Sequence, residues 1–196
     1  MRSAEPAAGG ASASARRRRA RLSMVLVCAM FLLPLGLAVW LYQSGWRPLQ
    51  TGNHGELIDP PVQAAVLPLA DLDGAPLAAG YLAAGRWTLL LSQAGDCGVG
   101  CRRSLLDTRQ VHLALGKDGP RVRRLLLTDQ HLPPALLAEH PGLTVAQRPA
   151  LSPFPGDGSV WVVDPLGNAM LRFSSGFAAQ GLLADLRRLL ELSHIG

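Results

Sequence analysis

Trp87-Thr-Leu-Leu-Leu-Ser-Gln-Ala-Gly-Asp-Cys-Gly-Val-Gly-Cys-Arg-Arg103 is the stretch on which the fold turns. Its first six residues, Trp87 to Ser92, form an unbroken apolar run suited to a strand buried on both faces. From Cys101 to Leu115 the pattern changes period. Leu105, Leu106, Val111 or His112, and Leu115 recur along one side of a helix, which Gly116-Lys-Asp-Gly-Pro120 stops. Between strand and helix stand Cys97 and Cys101, set among Gly95, Gly98 and Gly100. Glycine permits the tight positive-φ turns such a loop needs. A cysteine at a helix N-terminus feels the helix dipole and free amide donors, which favour the thiolate. Arg102 and Arg103 add positive charge. A C-x3-C pair can bring its sulfurs together across one turn, as a disulfide, a dithiol redox couple or a soft-metal site for Cu(I). A purely structural short-loop disulfide is the plain alternative. Zinc is disfavoured, because no second cysteine pair follows.

Working outward, the strands and helices alternate. Val122–Thr128 is the next strand. Pro133–His140 is a short helix opened by prolines, and Leu143–Ala146 a brief strand. Ser159–Val163 is another buried strand, joined through the Asp164-Pro-Leu-Gly-Asn168 turn to Ala169–Phe173. Upstream, Ala65–Leu69 and Pro76–Leu82 read as a hairpin around Asp71-Leu-Asp-Gly74. The last helix, Phe177–Leu192, puts Leu182, Leu183, Leu186, Leu189 and Leu190 on one stripe, with Asp185, Arg187, Arg188 and Glu191 facing the other way. The whole predicts an α/β sandwich with helices covering a mixed sheet.

Before this domain lies a different composition. Leu22–Tyr42 carries no charge, and its 21 residues span roughly 31 Å as a helix, matching the ~30 Å hydrocarbon core of a bilayer. Pro34 and Gly36 are tolerable there, and Trp40 and Tyr42 suit the interfacial belt. Cys28, inside the span, reads as a small apolar filler. A cleaved signal peptide would have a shorter apolar core and a small-x-small site, which Leu41, Tyr42, Gln43 and Trp46 do not offer. Six arginines against Glu5 give residues 1–21 a charge of +5, the formal charge of the entire chain. The remainder is neutral and carries no electrostatic footprint for nucleic acid. The arginines place the N-terminus in the cytoplasm. The expected layout is a disordered basic tail (1–21), a single membrane span (22–42), a tether (43–60) and a domain outside the inner membrane, in the periplasm (61–196). That compartment favours disulfides.

The strand, cysteine pair and helix, followed by strand, helix and terminal hairpin with helix, resemble the thioredoxin-like fold. The C-x3-C spacing, the anchor with its tether, Asp71-Leu-Asp-Gly-Ala-Pro76 and Val160-Trp-Val-Val-Asp-Pro-Leu-Gly167 resemble the Sco (SenC) family. Those are membrane-anchored, copper-handling proteins of cytochrome c oxidase assembly. The resemblance implies a thioredoxin-like domain behind one transmembrane helix. It implies copper, or the thiols of a copper site, as what the Cys97–Cys101 pair handles, with a respiratory oxidase subunit or another assembly factor as partner. It also makes Pro155 a candidate cis-proline facing the cysteines. One departure stands out. The family's copper histidine falls near Gly156, in Pro153-Phe-Pro-Gly-Asp-Gly158, where no histidine stands. His112 is eleven residues beyond Cys101, roughly 16 Å along the helix and too far to share a metal. His131 and His54 reach the pair only if their segments fold back, and His140 and His194 lie in or beyond helices. The alternatives are a thiol–disulfide oxidoreductase, with Cys97 attacking and Cys101 resolving, and a non-catalytic interaction module with a structural disulfide.

Overall fold

In the computed structural model the described residues are 10–44, 52–193 and 195. They form two units, one up to Thr51 and one from Gly52 onward.

The first unit is a single helix, α1 (Gly10–Gln43). Its Arg21–Gln43 stretch, 23 residues with a mean hydropathy of 2.5, is long and apolar enough to cross a membrane. The helix begins well before the expected span and takes in Arg16–Arg19, within the tail expected to be disordered. Alanine and arginine are good helix formers, and they extend a helix that the apolar segment already nucleates. Residues 1–9 of that tail, residues 45–51 of the tether and His194 lie outside the described residues.

The second unit contains β1 (Glu56–Gln63), β2 (Trp87–Gln93), α2 (Val99–Ala114), β3 (Val122–Thr128), α3 (Pro134–Ala138), β4 (Leu143–Gln147), β5 (Asp157–Val163), β6 (Asn168–Phe173) and α4 (Ala179–Leu192). The six strands form one mixed sheet in the order β1-β6-β5-β2-β3-β4. β2, β3 and β4 run parallel, whereas β5 and β6 form the antiparallel hairpin and β1 pairs antiparallel to β6. Side chains alternate between faces along each strand. Leu89, Leu91, Val122, Leu126 and Val162 therefore meet Leu105 and Val111 of α2 and Leu182, Leu186 and Leu190 of α4. Leu90, Leu125, Leu127, Trp161 and Val163 point the other way and are covered by Ala64, Leu69, Leu82 and Phe154. Both faces of the central strands are thus dry, which is why they read as unbroken apolar runs.

Three expectations are corrected. β1 begins inside the stretch expected to be a tether (43–60) and runs on to Gln63. Pro60 and Pro61 suggested a loop, but an edge strand tolerates proline, and the register slips between Leu57 and Val62 to accommodate them. Ala65–Leu69 and Pro76–Leu82 are not strands. Only the bridge between Ala70 and Pro76 forms. The Asp71 turn itself is real, its side chain accepting from the amides of Asp73 and Ala75. The loop earns its apolar residues by covering the sheet with Leu69 and Leu82. Finally, α2 starts at Val99 rather than Cys101, because the extended Gly98 is its N-cap.

Candidate functional site

The C-terminal ends of parallel strands β2 and β3 are neighbours, Gln93 opposite Thr128. The loops leaving them are tied together: the Gly95 amide donates to Asp129 Oδ1 at 2.7 Å, and Gly95 itself turns through φ +66°. Only glycine adopts that conformation without strain. The chain then passes Cys97 and enters α2, with Cys101 in its first turn. Cys97 and Cys101 form a disulfide, their Cα atoms 5.1 Å apart. Cys97 is half-buried, whereas Cys101 is 5% exposed. Arg102 Nε donates to the Cys97 carbonyl at 3.3 Å, and Arg103 is paired with Asp107 one turn along. The Cys97–Cys101 loop therefore sits at the positive end of α2.

Facing the pair is the loop leading into β5. Ser92 Oγ donates to the Phe154 carbonyl and the Ala94 amide donates to the Gly156 carbonyl. Phe154 is fully buried, edge-on to Trp161 at 5.2 Å. These contacts seat the loop with a trans bond before Pro155, so the expected cis-proline is corrected. The cis bond among the described residues is Asp59–Pro60. A cleft of about 300 Å³ opens beside Cys101, walled by Asp96, Gly98, Asp157, Gly158 and Ser175. Asp157 Oδ1 accepts from the Ser159 amide, and Asp157 Oδ2 accepts from Arg172 at 2.6 Å. Partial burial alone would push this carboxyl up. The hydrogen bonds from Ser159 and the Arg172 guanidinium outweigh it and hold the pKa below the usual value.

The histidines are elsewhere. His54 is held on Asp185 of α4, its Nδ1 3.0 Å from Oδ1. His112 lies at the far end of α2, its Nε2 against the carbonyls of Gly119 and Val122. His131 is exposed beside Asp73 at 3.7 Å. His140 is buried near Arg124. Among the described residues no group of three His, Cys, Asp or Glu side chains is placed to hold a metal. Copper handling needs soft donors, and the two sulfurs suit Cu(I). A histidine at the position of Gly156 does not fit, because its Cβ would fall 2.4 Å from Ala94 Cβ. Gly158, at φ +77°, admits one only with strain. The residues present thus fit a two-thiolate site and not a three-donor one. Asp185 and the Asp157–Arg172 pair escaped the sequence reading, because each acts through a partner distant in the chain.

Residues 87–193 match the model of the family described as "transmembrane-like, thioredoxin-like, C-terminal domain". No curated protein sequence matches the chain. Among solved structures, apo Sco1 from Thermus thermophilus is similar, with a TM-score of 0.54 at 19% identity, over 73% of this chain and 99% of that one. Copper-bound ScoI from Arabidopsis thaliana aligns at 10% identity with a TM-score of 0.52, over 67% of this chain and 100% of that one. Copper-bound yeast Sco1 aligns at 14% with a TM-score of 0.50, over 66% and 94%. At these identities the likeness establishes the thioredoxin-like fold.

Proposed function

The chain belongs to the family of transmembrane-like, thioredoxin-like C-terminal domains, and from that premise we propose that it is a membrane-anchored accessory protein of respiratory oxidase biogenesis, acting on copper-site thiols through Cys97 and Cys101. The arginines before the span put the N-terminus in the cytoplasm, so the domain works in the periplasm, held at the inner membrane. One observation carries the reading: a disulfide between a half-buried and a buried cysteine, at a helix N-terminus with a cleft beside Cys101, and with no third His, Cys, Asp or Glu grouped with it for a metal among the described residues.

The chemistry is thiol–disulfide exchange. A thiolate of the partner attacks a sulfur of the Cys97–Cys101 bond. A mixed disulfide forms and the other cysteine leaves as a thiolate, stabilised by the α2 dipole. The partner's second thiolate attacks its own sulfur in the mixed disulfide and expels the remaining cysteine. Two electrons pass from the partner dithiol to the pair, and the two protons that the partner thiols lose end on Cys97 and Cys101. Run backwards, the dithiol form reduces a partner disulfide, with Cys97, the more exposed cysteine, attacking and Cys101 resolving.

A deletion strain tests this. Cytochrome c oxidase activity should fall on deletion. It should return with the wild-type chain and stay low with Cys97→Ser/Cys101→Ser. Full rescue by the double variant would reduce the pair to a structural disulfide. Normal oxidase activity in the deletion strain under copper limitation would remove the oxidase reading altogether.

A second reading, copper as cargo, is supported by the fold shared with copper-bound Sco structures and by the two soft sulfurs. Anaerobic Cu(I) competition with the reduced full chain, beside Cys97→Ser, separates the two readings. One-to-one binding that the variant loses favours cargo, and no difference leaves exchange alone.

A further inference from the structure

The cleft beside the disulfide adjoins a second one. Ser175 walls both, and from it a larger cleft of about 510 Å³ runs past Ser174, Gly176 and Arg172 to Glu56 and His54. The join is occupied by Arg172, whose guanidinium lies 2.6 Å from Asp157 and 4.0 Å from Glu56. Together the two clefts make a trench leading from Cys101 across the β6–α4 loop to the start of β1.

Its electrostatics are one-sided. Asp96, Asp157 and Glu56 line it, against the single guanidinium of Arg172. His54 faces the carboxylate of Asp185 at 3.0 Å, so the two together add no net positive charge to the trench. Asp157 stays ionised well below neutral pH. Glu56 and Asp96 are exposed. Gly98, Gly158 and Gly176 leave parts of the wall without side chains, so that a second backbone can approach closely. The open glycine backbone suits an extended chain, and the excess carboxylates suit a cationic side chain on it.

Resting on the exchange reading above, we propose that this trench holds an extended, cysteine-bearing segment of the partner protein, recognised by a lysine or arginine beside the reacting cysteine. The segment lies over Ser174–Gly176, with its cysteine at the disulfide and its basic side chain against Asp157 and Glu56.

The test uses the full chain in detergent and two synthetic dithiol peptides of one sequence, with arginines or glutamates beside the cysteines. Each rate of reduction of Cys97–Cys101 is divided by that peptide's rate with hydroxyethyl disulfide, which removes the effect of flanking charge on the peptide's own thiols. The arginine peptide should react about tenfold faster than the glutamate peptide at low salt, with the ratio collapsing in high salt. Glu56→Gln, on an exposed side chain, and Asp157→Asn should each lower the ratio about threefold. A ratio near one in the wild type, or a ratio unchanged in both variants, overturns the trench. Failure of dithiothreitol itself to reduce the pair overturns the exchange reading and the trench with it, so the two failures are distinguishable.

Discussion

The backbone of Gly156 lies against Ala94 so closely that a Cβ on residue 156 would sit 2.4 Å from the Ala94 Cβ and 2.6 Å from its nitrogen. The two are also joined by the Ala94 amide donating to the Gly156 carbonyl at 3.0 Å. Backbone cannot give way as a flexible side chain does. Gly156→Ala should therefore cost about 2 kcal/mol, and Gly156→His more, since the strand end or the redox loop must shift. Urea denaturation of the two variants checks this. Gly156→His should also fail to gain Cu(I) affinity over the wild type. A stable variant with tighter copper binding would mean that the loop accommodates the third donor after all.

The disulfide closes a loop of only five residues. On the chain-entropy model a loop this short is worth about 2 kcal/mol. The large core beneath it does not depend on the bond. Cys97→Ser/Cys101→Ser should remain folded, losing about 2 kcal/mol in chemical denaturation. Loss of the fold would make the pair a structural staple and count against a redox role.

What the sequence made legible follows from where the physical signal was local. The strand from Trp87 to Gln93 announced itself because both faces are buried, and the Asp164–Asn168 turn because its carboxylate caps the amides of Leu166 and Asn168 within the same few residues. β1 was hidden by Pro60 and Pro61, whose meaning changes once the strand is known to lie at an edge. The Ala65–Leu82 segment is apolar enough to read as strands, yet its apolar residues serve as a lid on the sheet. Asp185 was assigned to the outer face of α4, as acids on amphipathic helices usually are. Its partners are His54 and Gly55, 131 and 130 residues away, and no local pattern carries that information. The cleft wall at Asp157 depends likewise on Arg172 from the next strand.

Asp185 gathers three donors. Its Oδ2 accepts from the amides of His54 at 2.8 Å and Gly55 at 2.9 Å, and its Oδ1 faces His54 Nδ1. Gly181, one turn earlier on α4, makes room for His54, since a Cβ there would lie 2.8 Å from that of His54. Asp185→Ala leaves the buried Gly55 amide unpaired and should cost about 2–3 kcal/mol. Amide exchange at residues 54 and 55 should accelerate by more than the global loss explains. Unchanged exchange there would show that the start of β1 is held by its pairing with β6 alone.

His140 is 2% exposed. Its pKa is lowered, first by burial and then by the neighbouring Arg124, with Glu139 opposing and Arg109 adding a smaller push downward. The folded state therefore binds fewer protons here than the unfolded chain, whose histidine titrates near 6.5. Stability from this group is full above that pH and declines as the pH falls from about 6.5 toward the folded value, by at most about 1.4 kcal/mol per unit. Asp157, also lowered, has a separate window and loses its contribution only below its ordinary carboxylate range. Denaturation midpoints between pH 7 and pH 5 should fall for the wild type and stay flatter for His140→Gln. Parallel profiles would show that His140 is protonated without penalty.

Arg124 supplies part of that environment and is itself a buried charge with few partners. It is 3% exposed on β3, its Nε has no hydrogen-bond partner, and among the described residues no carboxylate pairs with it. Burial, together with Arg109, lowers its pKa to about 10, so it still carries charge at neutral pH. Its backbone contact, to the Leu105 carbonyl, is long at 3.4 Å. Replacing a buried, poorly compensated ion with an apolar side chain of similar volume removes its desolvation cost. Arg124→Met should stabilise the domain by about 1–2 kcal/mol. Because Arg124 also holds the His140 pKa down, the variant should flatten the loss between pH 7 and pH 5 as well. A destabilised variant would mean that the guanidinium finds compensation from groups that these contacts do not include.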